Sequence, residues 1–281
     1  MQLRKLDMGK AWTQATGLIG TNKDTISAIA GLFFFLPSLA SALLVPELAN
    51  PPQPAPNADP QLAMRAMMDQ MSAIYAANWP LLLGLVIAQF AGSMSLFALL
   101  TDRGNPTVGE ALRTGLASLP SYLAAQIVTV IGASLAIGIP LGVISAFGGP
   151  AVAVLAVLVA LIFIVYIMVK LSLVAPVIAI EGDRNPFTAL ARSWQLTKGN
   201  SLRIVLFVGL LIVVIGIISA LVTGILSLIF AAMGDMVATI GTAVVNAAVN
   251  TLLAVIFLVV TVAIHRQLSG PTAEGLKETF E

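Results

Sequence analysis

Residues 151–169 read AVAVLAVLVALIFIVYIMV, a run with no charge in it. A helix rises 1.5 Å per residue, so this run alone nearly crosses a hydrocarbon layer of ~30 Å. Lipid offers the backbone no hydrogen-bond partner, so such a run must be helical. Working outward, the run widens to 150–180, and five more of its kind appear at 26–46, 79–100, 119–145, 202–232 and 237–264. The alternating segments of about ten residues that mark a β-barrel are absent. The expectation is an all-α, polytopic membrane protein with six transmembrane helices. Composition agrees: 58% of residues are hydrophobic and 10% charged, where a soluble domain carries about 25% charged.

The charges between the runs sort by side. Arg4, Lys5, Lys10 and Lys23 precede the first run; Arg103 and Arg113 lie between the second and third; Arg184, Arg192, Lys198 and Arg203 lie between the fourth and fifth; Arg266 and Lys277 follow the sixth. The opposite connections hold only Arg65 among bases, with Glu47, Asp59, Asp69 and Asp235. Basic residues stay in the cytoplasm, so both termini are expected there, in a bacterial inner membrane. The first run is too long for a signal-peptide core and follows a head of mixed charge, so it is expected to be retained.

Net charge +1 and the lack of a basic run argue against a nucleic-acid partner. The chain has no cysteine, hence no disulfide or thiolate site. It carries one histidine, His265, and no HExxH, GxSxG or Walker pattern. No catalytic residue, metal or cofactor is expected, and the chain is read as not an enzyme.

Three short segments precede spans on the basic side: Gly9-Lys10-Ala11-Trp12, Gly109-Glu110-Ala111-Leu112-Arg113 and Phe187-Thr188-Ala189-Leu190. Ala11 to Asn22 and Ala189 to Asn200 share one spacing. Each segment is too polar to span and too apolar for plain coil, so three cytoplasmic interfacial amphipathic helices are expected. Residues 1–281 then form a single membrane domain of three pseudo-repeat units, 1–100, 101–180 and 181–281. Asn185-Pro186 suits a helix start, as does Asn105-Pro106, and Lys198-Gly199-Asn200 suits a helix stop. Residues 50–78 are read as a periplasmic Pro-rich linker, Asn50 to Pro60, followed by an amphipathic helix. On that helix Met64, Met67, Met68, Met71, Ile74 and Tyr75 share one face. A methionine stripe is usually packing; the sharper alternative is a thioether site for Cu(I).

Small residues recur every fourth position at Gly84, Ala88 and Gly92, at Gly216, Ala220 and Gly224, and as Gly138 and Gly142. Such stripes let helices approach, within the chain, in a homo-oligomer or against a membrane-protein partner. Pro37, Pro140 and Pro176 are expected to kink or break their spans.

Lys170 lies within a predicted span. It either snorkels to the headgroups, contacts an anion or lipid phosphate, or pairs with Glu181. Gln89, Gln126, Asn246 and Asn250 are the polar intramembrane candidates, and interhelical hydrogen bonding is their usual role. No acid falls inside a predicted span, which argues against carriers coupled through intramembrane carboxylates.

The stretch Lys170-Leu171-Ser172-Leu173, Ala175-Pro176-Val177, Glu181-Gly182, Ala189-Leu190-Ala191-Arg192-Ser193-Trp194-Gln195-Leu196-Thr197-Lys198-Gly199-Asn200 and Arg203 resembles the membrane domain attached to some bacterial glycerophosphodiester phosphodiesterases and the related YciC-like inner-membrane proteins. Nothing in the chain corresponds to the soluble catalytic barrel of those enzymes, so their activity does not carry over. The resemblance implies a stand-alone membrane module connected with lipids or envelope maintenance. The leading expectation is therefore a non-enzymatic, lipid-associated membrane protein, with membrane lipids as partners and Lys170, Arg192, Lys198 and Arg203 holding anionic headgroups. The alternatives are a channel or transporter for a small solute, with a path near the polar candidates, and a structural subunit of a larger membrane complex.

Overall fold

A computed structural model describes residues 5–49, 59–101 and 106–270. Arg4, Arg103, Asn105, Lys277 and residues 50–58 of the expected linker lie outside the described residues. Among the described residues the chain is helical, with no strand. The helices are α1 (Met8–Thr21), α2 (Lys23–Ala30), α3 (Leu36–Leu44), α4 (Pro46–Ala49), α5 (Pro60–Leu99), α6 (Val108–Phe147), α7 (Pro150–Leu171), α8 (Val174–Pro176), α9 (Pro186–Leu196), α10 (Ser201–Ala231) and α11 (Asp235–Ser269). Two π-helical segments, Gly31–Phe35 and Val177–Glu181, follow α2 and α8.

Among the described residues six helical stretches are long and apolar enough to cross a membrane: Lys23–Leu44, Gln61–Leu99, Val108–Ile144, Val154–Glu181, Ser201–Ala231 and Asp235–Ser269. Each overlaps one of the six predicted runs. Their side chains mostly face outward. None of the most apolar window of α6 is buried, and 11% of that of α10 is; Leu206, Leu210, Ile217 and Leu221 of α10 are all exposed. A monomer in water rarely exposes more than a few hundred Å² of contiguous apolar surface. Six such helices suggest a membrane-embedded protein.

The chain divides into two compact units. The first comprises residues 1–23, 94–212 and 257–281. In it α9 packs on α6, α7, α8 and the second π segment. Ala189, Ser193 and Leu196, spaced as one face of α9, are buried. Phe97, Leu100, Leu173, Ile178, Val259 and Ile264 fill the core. Gly115 of α6 lies against Ser95, and a side chain there would strike the Ser95 backbone. The second unit comprises residues 24–93 and 213–256. Its buried residues include Ile26, Ile29, Phe34, Ala91, Ala243 and Ala247. Gly92 lets α5 approach the first π segment, since a Cβ there would collide with Phe33.

Several elements differ from expectation. Residues 109–113 form no helix of their own; they are the opening turns of the 40-residue α6. Thr107 and Glu110 close a capping box at its start, Thr107 Oγ1 accepting from the Glu110 N–H at 3.3 Å and Glu110 Oε2 accepting from the Thr107 N–H at 2.9 Å. Nothing between Arg113 and Leu119 stops the helix. After α9, by contrast, Gly199 adopts φ +79° and ends it. The methionine stripe likewise runs on into α5 as one 40-residue helix that accommodates Pro80, and Met64, Met67 and Met68 are exposed. Pro37 and Pro176 flank the two π segments, where the helix changes register, whereas Pro140 and also Pro120 sit inside uninterrupted α6. A side chain at Gly84, Gly138, Gly142, Gly216 or Gly224 would meet nothing within 4 Å. Of the expected packing glycines, only Gly92 serves close approach within the chain.

Candidate functional site

Pro176 cannot donate to the Ser172 carbonyl, so the helical run breaks one turn earlier. α7 ends at Leu171, and Ser172–Leu173 interrupt it before α8. The break is sealed by α9. Ser193 Oγ donates to the Lys170 carbonyl at 2.8 Å and accepts from the Leu173 N–H at 3.2 Å. Asn185 starts α9 by accepting from the Phe187 N–H at 3.0 Å, with Pro186 in the first turn, as its sequence suggests.

This arrangement holds Lys170 in the last turn of α7 with only 4% of its surface exposed. Its Nζ lies 5.5 Å from the ring centres of both Tyr166 and Trp194. Those rings meet edge to face at 5.7 Å and 86°. The ammonium thus sits against two aromatic faces, and among the described residues no carboxylate is in ion-pair range of it. The expected Lys170–Glu181 pair is not formed. Glu181 is occupied elsewhere: its Oε2 takes Arg192 Nε at 3.0 Å, and its Oε1 takes His265 Nε2 at 2.9 Å and Arg192 Nη2 at 3.4 Å. The second π segment turns Glu181 toward α9 and α11. His265 is buried, and its Nδ1 has no partner among the described residues.

The other three headgroup candidates differ in kind. Arg192 is neutralised by Glu181. Arg203 Nη1 donates to the Leu6 carbonyl at 3.0 Å, while Asn200 Oδ1 accepts from the Leu6 N–H at 2.9 Å. Together they strap the N-terminal segment to the start of α10. Lys198 is exposed. Beside Lys170 lies an apolar groove of about 350 Å³, to which α6 contributes Val128 and Gly132, α7 Phe163 and Ile167, and α9 Leu190 and Trp194. Trp194 therefore serves both the groove and the ammonium.

The polar candidates fall in two places. Gln126 belongs to the first unit, where its Nε2 donates to the Tyr122 hydroxyl one turn back at 2.9 Å. Gln89, Asn246 and Asn250 meet in the second unit, around a cavity of about 550 Å³ that Ser38, Ser41 and Thr242 also line.

Sequence reasoning missed Tyr166 and Trp194 as partners of Lys170, Ser193 as the seal, and Ser38 and Ser41. The four-residue step from Tyr166 to Lys170 was a usable signal. So was the three-residue step from Ser38 to Ser41, which puts both hydroxyls on one helical face.

The fold is thus that of a helical protein with six membrane-length apolar helices and a basic, aromatic site beside an apolar groove. Residues 108–268, more than half of the chain, match the family described as Domain of unknown function (DUF7847), and the chain belongs to that family. No curated protein and no solved structure matches it. The likeness drawn from residues 170–210 lies inside the matched stretch, but it is not what that family is named for.

Proposed function

We propose that this is a non-enzymatic inner-membrane protein whose first unit holds an anionic phospholipid. The phosphate would sit at Lys170 and an acyl chain in the groove beside it. The observation that carries this reading is the Lys170 ammonium, buried against two rings with no acidic partner among the described residues, beside an apolar groove. An unpaired buried charge is costly, and a phosphate is the anion that a bilayer supplies. Lys198, in the segment after α9, adds a basic residue; one near an anionic surface is worth about 1 kcal/mol. The resemblance to lipid-connected membrane domains points the same way. Both termini are read as cytoplasmic from the distribution of bases. The three-unit reading draws support from Ala11, Ala111 and Ala189, which hold the same place in each segment and are all buried.

The test is native mass spectrometry of the full chain released from native membrane particles. Retained anionic phospholipid is expected on the wild type and on Arg203→Met, and at least fivefold less on Lys170→Met. Equal retention on Lys170→Met, or retention of zwitterionic lipid alone, rejects the site.

A further inference from the structure

The second unit carries a feature that the lipid reading does not use. Thr242, Asn246 and Asn250 follow at steps of four along one face of α11. Ser38 and Ser41 lie one turn apart on α3, and Gln89 faces the same space from α5. Amides and hydroxyls in apolar helices ordinarily bond to a neighbouring helix. Here they do not: the side-chain amides of Gln89, Asn246 and Asn250 have no hydrogen-bond partner among the described residues. Thr251 and Ser93, by contrast, turn back onto their own helices, at Ala247 and Gln89 carbonyls.

We infer that this cavity is a binding site for a small uncharged polyol. The chemistry of the lining sets the class. Amide and hydroxyl groups each offer both donor and acceptor, which matches adjacent hydroxyls on a ligand. Among the described residues no charged side chain lines the cavity, so an ion entering it would lose hydration without a counter-charge from them. The volume, about 550 Å³, falls within the ~300–1,000 Å³ usual for small-molecule sites. Ala238 to Asn250 spans about 18 Å along α11, and Ala42, Ala243 and Ala247 among the polar positions leave room beside them. The site shares no residue with the Lys170 groove, so the two readings fail separately.

The full chain in lipid nanodiscs, free of glycoside detergent, is examined by saturation-transfer NMR with glycerol, erythritol and xylitol. Glycerol 3-phosphate and choline serve as charged probes. Transfer to the polyols is expected, with little to the charged probes. It should fall at least fivefold in Asn246→Leu/Asn250→Leu and at least twofold in the near-isosteric Thr242→Val/Ser41→Ala, which guards against a folding defect in the first variant. Lys170→Met should leave it unchanged. Polyol transfer that is absent, that is equal in wild type and both cavity variants, or that is exceeded by glycerol 3-phosphate overturns the inference.

Discussion

Glu181 organises its neighbourhood through one carboxylate that receives both Arg192 and His265. The two partners do not depend on it equally. The Arg192 side chain is 28% exposed and can turn to water, whereas that of His265 is 3% exposed and cannot. Removing Arg192 should therefore cost less than ~1 kcal/mol, as for other accessible ion pairs. Glu181→Ala leaves the buried imidazole with neither nitrogen satisfied, a loss of about 1–3 kcal/mol. Thermal unfolding in one detergent should rank wild type above Arg192→Ala above Glu181→Ala; the reverse order of the variants would mean that His265 finds another partner. This constellation was not legible in the sequence. Glu181 and His265 are 84 residues apart, and nothing in either local pattern ties them. The sequence offered Glu181 as the partner of Lys170 because it is the acid nearest to that lysine along the chain, but the π segment takes the carboxylate to α9 and α11. The Tyr166–Lys170 step was legible; Trp194, arriving from α9, was not.

Helices here are legible where hydropathy decides them and less so at their ends. The six runs were plain, because a long apolar stretch has only one fate in lipid. Their extensions were not: α5 and α6 reach 40 residues each, because polar helix formers continue a helix as readily as apolar ones when no stop intervenes. The break between α7 and α8 shows the opposite case, an interruption set by Pro176 and made tolerable by a distant hydroxyl. Ser193 is fully buried and satisfies both sides of that break. Ser193→Ala should leave the Leu173 N–H and the Lys170 carbonyl short of partners, costing about 1–3 kcal/mol. The loss should be local as well as global. Hydrogen exchange over residues 170–176 is expected to quicken at least tenfold, while the capped start of α6 keeps its protection. Unchanged exchange there would mean that α9 does not seal the break.

At the scale of the molecule, the distribution of charge is the property that every local pattern leaves open. Polar groups at 38–41, 89 and 242–250 come from three distant helices, so their shared cavity could not be read from any one of them. Topology is an expectation of another kind, because it depends on counts rather than contacts. The bases Lys10, Lys23, Arg113, Arg184, Arg192, Lys198 and Arg203 flank the same alternate connections, while Asp69 and Asp235, with the base Arg65, flank the others. The chain is free of cysteine, so single cysteines can report each connection without a background. Lys23→Cys and Lys198→Cys replace exposed residues on the basic side; Asp69→Cys and Asp235→Cys replace exposed residues on the acidic side. On intact spheroplasts a membrane-impermeant maleimide should label the two aspartate positions and spare the two lysine positions until the membrane is opened. The inverse pattern would turn the protein over and move the Lys170 groove to the opposite leaflet. Labelling of all four without opening the membrane would remove the bilayer from the argument, and the outward apolar faces of α6 and α10 would then need a protein partner to cover them.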